Sequence, residues 1–141
     1  MKKVIIASDH AGVELKEQLK AFFANDIEFT DLGTHSKDSM DYPDVVHPLC
    51  KQLPDFDFGI LICGSGNGVC ITANKHKGIR AALAWKPEIA SLAKQHNDAN
   101  ILCLPARFIS VEEAKNILQS YMNASFEGGR HQNRVCKIDI S

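Results

Sequence analysis

A chain of 141 residues, 45% apolar and 23% charged, is long enough to bury its own core and reads as a single domain over 1–141. With 16 basic against 17 acidic side chains, the net charge of −1 offers no footprint for nucleic acid or an anionic membrane surface. The opening MKKVIIASDHAG has an apolar run too short for a secretory segment or a membrane span, and five cysteines without a C-x-x-C set aside disulfide-framework and zinc-ribbon readings, so a reduced cytoplasmic compartment is expected.

In chain order, residues 3–7 (KVIIA) read as a buried strand running into Ser8, Asp9 and His10. A helix over 11–24 follows, with Leu15, Leu19, Phe22 and Phe23 on one face. Residues 27–33 alternate as a second strand. Asp41 and Pro43 suit the start of a helix over 42–53, and Pro48 is expected to interrupt its second turn. Three more apolar runs, 59–63, 79–85 and 100–104, alternate with helical segments at 65–76, 87–96 and 110–122. The last carries a capping box, Ser110 with Glu113, ahead of Val111, Ala114, Ile117, Leu118 and Tyr121.

Apolar strands separated by helix-length segments indicate a parallel sheet covered on both faces. The expected fold is α/β, a Rossmann-like three-layer α/β/α sandwich with a five-stranded parallel sheet. Ligands of such sheets bind beyond the C-terminal strand ends. That edge carries the loops at 8–12, 32–42, 63–68, 85–87 and 105–108.

One of these loops stands out. In FGILICGSGNGVCITANK (58–75), a strand ends on Cys63 and opens into Gly64, Ser65, Gly66, Asn67 and Gly68. Glycines between a strand and a helix turn backbone N–H groups toward one point and form an anion hole. The spacing G-x-G-x-G is not the dinucleotide fingerprint G-x-G-x-x-G, and no G-K-[ST] follows. Val69 stands where a C-x5-R phosphatase needs arginine, and Leu61 excludes the nucleophile elbow of hydrolases. A thiol beside such a hole suits proton abstraction alpha to a carbonyl. Equally, Cys63 could be a small buried core residue.

Other side chains admit two readings as well. Asp9 and His10 end the first strand on the same edge as Cys63, although a helix cap also accounts for Asp9. Tyr42, in DYPD, either reaches that pocket or belongs to a turn. In KQHNDAN, His96 is an acid–base candidate or a helix C-cap with Asn97 in the left-handed position. A helix leading into a parallel strand ends at the N-terminal edge, away from Cys63, so a catalytic His96 would serve a neighbouring subunit's pocket. Arg130 and Arg134 share a face if EGGRHQNRV is helical, and with Arg107 they suit a phosphate; a solvated basic tail is the alternative.

Together SDHAG, GTHSKDSMDYPD, ICGSGNGVCITANKHKGIRAAL, QHNDANIL and EGGRHQNRV strongly resemble the type B ribose-5-phosphate isomerases, within a wider family that includes galactose-6-phosphate isomerase subunits. The likeness runs in order over almost the whole chain. It implies an aldose–ketose isomerase working through a cis-enediolate, with no cofactor and no metal. Cys63 matches the base, and Gly64, Ser65, Gly66, Asn67 and Gly68 match the loop that binds the enediolate. His96 matches the residue that assists ring opening. Asp9 and Tyr42 match positions that handle the ring and hydroxyls, Asn97 matches a further sugar contact, and His10, Arg107, Arg130 and Arg134 match phosphate contacts. The resemblance also implies sites shared across a homodimer, alone or within a dimer of dimers, with the segment 123–141 reaching the partner. Ser65 stands where many members have threonine, which keeps the hydroxyl. Six-carbon sugar phosphates, and a non-catalytic sugar-phosphate binder on the same fold, are the alternatives.

Overall fold

A computed structural model describes residues 1–140. Five strands, β1 (Lys2–Ser8), β2 (Ile27–Asp31), β3 (Phe58–Cys63), β4 (Ala81–Leu83) and β5 (Ile101–Pro105), form one parallel sheet in the order β2-β1-β3-β5-β4. Among the described residues six α-helices join or follow them: α1 (Val13–Phe22), α2 (Pro43–Gln52), α3 (Asn67–Ala73), α4 (Pro87–Asn97), α5 (Val111–Asn123) and α6 (Arg130–Val135). This is the expected α/β/α sandwich.

Side-chain alternation sorts the core into its two layers. Val4, Ile6, Ile60, Ile62, Leu102 and Leu104 point to the face covered by α1, α4 and α5. Ile5, Ala7, Leu61, Cys63, Ile101 and Cys103 point to the other, beneath α2 and α3. The central strand β3 is buried along its whole length for this reason, whereas the edge strand β2 alternates. Among the described residues no helix is long and apolar enough to cross a membrane.

Four local expectations need correction. Pro48 does not interrupt α2, which continues to Gln52. Its missing N–H would have met the carbonyl of exposed Asp44 in the first turn, and burial of Val45, Val46, Leu49 and Cys50 offsets the loss. Phe22 is 57% exposed; its ring lies edge-on to buried Phe23, with the Lys115 ammonium over it at 4.2 Å. Strand β4 shrinks from the expected 79–85 to three residues. Side-chain amides take over the pairing before it, Asn100 Oδ1 accepting from Arg80 N at 2.7 Å and Asn74 Oδ1 from Ala81 N at 2.8 Å. Finally, Asp98 rather than Asn97 takes the left-handed position after α4, with φ of 46°.

From β1 the chain passes to β2 on one side, and β3 then joins β1 on the other. The sheet therefore has its switch point at β1 and β3, whose C-terminal ends flank a crevice.

Candidate active site

That crevice holds the first group of candidate residues. Ser8 pairs with Ile62, and the Asp9 N–H donates to the Ile62 carbonyl at 3.1 Å, so Asp9 and Cys63 leave the sheet side by side. Cys63 is 5% exposed, and its Sγ accepts the Gly66 N–H at 3.2 Å. That contact ties the sulfur to the loop and holds it at the mouth of the crevice.

The loop geometry requires glycine at two places. Gly66 has φ of 77°, and a Cβ there would drive into the Leu83 side chain and stand 3.2 Å from the Leu104 carbonyl carbon. At Gly68 a Cβ would meet the ring of Tyr42 at 2.5 to 2.9 Å. Ser65 Oγ accepts from the Asn67 N–H at 3.1 Å, which folds the loop back on itself. Among the described residues the Gly64 and Ser65 amides have no acceptor, so they remain available to an oxyanion. Arg107 N donates to the Gly64 carbonyl at 3.0 Å, and its guanidinium lies against Gly64. A fixed positive charge thus flanks the loop.

Across the crevice is an open cleft of about 510 Å³, lined by Asp9, His10, Met40, Asp41 and Tyr42. Asp9 does cap the following turn, accepting the Ala11 N–H on Oδ1 at 3.0 Å, yet it also faces the cleft. His10 Nδ1 accepts the Met40 N–H at 3.3 Å, which places the ring proton on Nε2 as a donor. Another cavity of about 490 Å³, lined by Asn74–Lys77 and Ile138–Ile140, lies toward the opposite edge, away from Cys63.

The remaining candidates are not in this crevice. His96 lies in the last turn of α4, just before β5, and Ile101 at the start of β5 pairs with Gly59. Cys63 pairs with Pro105 at the far end, about 13 Å away along the strand. His96 instead stacks on His131, ring centroids 4.2 Å apart, and both Nε2 atoms approach Glu127 Oε1 at 3.7 and 3.5 Å. Asn97 is exposed, and its carbonyl accepts from Arg80 Nε at 3.1 Å. Arg130 and Arg134 project one turn apart from α6, both exposed. Within one chain, then, Asp9, His10, Tyr42, Cys63, the glycine loop and Arg107 come together, while His96, Asn97, Arg130 and Arg134 form a second group.

Sequence reading missed four participants. Asp41 lines the cleft beside Tyr42. Glu127 and His131 bracket His96, and their i, i+4 spacing was the available signal. Lys16, with no exposed side-chain surface, donates to both Asp31 oxygens at 2.8 and 2.9 Å and to the Thr34 carbonyl at 2.8 Å. It thereby fastens the root of the segment that runs to Tyr42; nothing in its spacing sets it apart from a surface lysine.

Fold and crevice define a Rossmann-like α/β protein with a thiol, a glycine loop and an arginine at its switch point. The chain belongs to the Ribose/Galactose Isomerase family, whose profile matches residues 4–138. It is 41% identical to ribose-5-phosphate isomerase B of Escherichia coli over 138 residues, covering 96% of this chain and 93% of that protein. The crystal structure of a ribose 5-phosphate isomerase from Thermotoga maritima superposes with a TM-score of 0.96 at 47% identity, covering 99% of both chains. Ribose-5-phosphate isomerase B of Mycoplasma genitalium, solved with bound ribulose 5-phosphate, superposes with a TM-score of 0.86 at 44% identity, covering 96% of this chain and 93% of that one.

Proposed function

We propose that this protein interconverts D-ribose 5-phosphate and D-ribulose 5-phosphate through a cis-enediolate. The Cys63 thiolate takes the proton from C2 of the open-chain aldose, and the electron pair moves onto the carbonyl oxygen at C1. Backbone donors of the Gly64–Gly68 loop carry that charge, with the Ser65 hydroxyl beside them. The Cys63 thiol then returns the proton to C1 as the oxygens exchange theirs, leaving the ketose. The observation that carries this reading is the Gly66 N–H on Cys63 Sγ at the sheet's switch point.

The phosphate falls to His10 and Arg107, joined by Arg130 and Arg134; Tyr42 and Asn97 contact hydroxyls, and Asp9 and His96 assist ring opening. Because His96, Arg130 and Arg134 stand apart from Cys63 within one chain, we place them in the partner's crevice. The working unit is then a homodimer, alone or paired, in which the segment 123–141 reaches across. The chain's own residues supply base, acid and oxyanion donors, so turnover persists in EDTA. A reducing cytoplasm suits a base that must remain a thiol.

Coupled assay of ribose 5-phosphate turnover with EDTA present, wild type beside Cys63→Ala, tests the assignment. Turnover that vanishes in the variant while substrate still binds supports it, and unchanged turnover removes Cys63 as base. A six-carbon sugar phosphate is the second reading, because the matching family takes in both kinds of isomerase. Clear preference for a hexose phosphate would replace the first with it. Tight binding of sugar phosphates by folded wild type, without turnover of any, would leave a binding protein.

A further inference from the structure

His96, Glu127 and His131 offer one ligand atom each, all within 4.8 Å of one another. A tetrahedral zinc-type ion, with bonds of about 2.1 Å to imidazole nitrogen and carboxylate oxygen, spaces its ligand atoms by about 3.4 Å. The two imidazole Nε2 atoms lie 3.7 and 3.5 Å from the same carboxylate oxygen, Glu127 Oε1. The two rings stack within 11° of parallel, so they must splay apart through their side-chain torsions before both Nε2 lone pairs converge on one ion. We propose that these three side chains form a site for a borderline transition dication such as Zn²⁺, with a fourth position open to water. Metal held there inhibits the enzyme by occupying His96; this second part rests on the ring-opening role given to His96 above.

Two of the three ligands sit on helices, and the third is tied to one of them. His96 belongs to the last turn of α4, where the exposed carbonyl ends favour positive charge. Glu127 is tied to the same helix by its N–H, which donates to the Gln95 carbonyl at 2.9 Å. His131 opens α6 and is the most enclosed of the three, with 13% of its side chain exposed. Two imidazoles and one carboxylate are the donor set of many zinc sites. Among the described residues a second cluster of comparable spacing, Glu17, Asp31 and His35, is a poor candidate: two lysine ammoniums, Lys16 and Lys20, already occupy Asp31 at 2.8 Å.

The test titrates the metal-free full-length protein with Co²⁺ alone, followed by visible absorption, and with Zn²⁺ in the isomerase assay. One Co²⁺ per chain with intense visible bands is expected, weakened at least ten-fold in affinity by Glu127→Gln and by His131→Gln. Zn²⁺ should suppress wild-type turnover at least ten-fold, EDTA should restore it, and both variants should resist inhibition relative to their own metal-free rates. Co²⁺ bands unchanged in both variants, or lost only in Cys63→Ala, would overturn the site by moving the metal to the thiol. Binding at the three residues with undiminished turnover would keep the site, overturn the inhibition and take ring opening away from His96. A chain inactive on every sugar phosphate would defeat the isomerase reading, and the Co²⁺ titration would still read the site.

Discussion

The ring of Tyr42 fills the space into which a side chain on Gly68 would project: a Cβ at 68 would stand 2.5 Å from Tyr42 Cζ and 2.7 Å from Cε1. The start of α2 and the first turn of α3 therefore meet through a bare backbone and an aromatic ring. Gly68→Ala should improve local helix propensity by about 1 kcal/mol, yet force Tyr42 out of position. The expected outcome is a folded protein, unchanged in circular dichroism, whose KM for ribose 5-phosphate rises about ten-fold, one hydrogen-bonded contact's worth. An unaltered KM would mean that Tyr42 does not touch the substrate.

The cysteines should differ sharply toward an alkylating agent. Burial pushes the Cys50 thiol up to about 11, and burial together with the neighbouring Cys70, Cys63 and Cys50 pushes Cys103 well above its ordinary value. Neither presents a thiolate at pH 8. Cys136 is exposed, and Cys63 has the Gly66 N–H on its sulfur. Iodoacetamide at pH 8 should label Cys136 and Cys63 and spare Cys50 and Cys103. Loss of activity should track Cys63, and ribose 5-phosphate should slow it. Peptide mapping checks this, and inactivation tracking any other cysteine would contradict the assigned base.

The parallel sheet was legible because β3 and β5 are short, uniformly apolar runs, which only a strand buried on both faces requires. Cys63 and the glycines were legible because their order in the chain is also their order in space. Asp9 was legible as a cap and as a crevice residue, and it is both. What escaped depends on contacts between segments far apart in sequence. Lys16 meets Asp31 and Thr34 only once α1 lies on the sheet, and Glu127 reaches His96 only because α6 folds back on α4. Pro48 misled for a related reason, since a local penalty was outweighed by tertiary burial.

Lys16 gives a prediction about stability. Burial by itself would raise the Asp31 carboxyl; hydrogen bonds from Lys16, Lys20 and the Gly33 N–H outweigh it and hold the carboxyl below its ordinary value. A depressed folded value means that this contribution is present above the unfolded-chain carboxylate pKa of about 3.9 and is lost as pH falls through the folded one. Lys16→Met leaves Asp31 with one ammonium instead of two. Urea unfolding at pH 7 should show a loss of about 3 kcal/mol. The gap between variant and wild type should narrow as pH drops toward 3. A gap that stays constant from pH 7 to pH 3 would show that the Asp31 charge is not its source.

Division of the proposed site between chains can be read from mixtures of inactive proteins. Cys63 and His96 stand at opposite ends of the sheet, since Cys63 pairs with the last residue of β5 and His96 precedes the first. If each site takes Cys63 from one chain and His96 from its partner, a heterodimer of Cys63→Ala with His96→Ala contains one intact site and one doubly damaged site. Random exchange makes half of the dimers mixed, so activity should recover to about one quarter of the wild-type value per chain. Equimolar protein, unfolded together and refolded, should show that rise above the average of the two parents. Refolding that yields only the parental average would require both residues to act within a single chain, and would leave His96 without a route to the sugar held at Cys63.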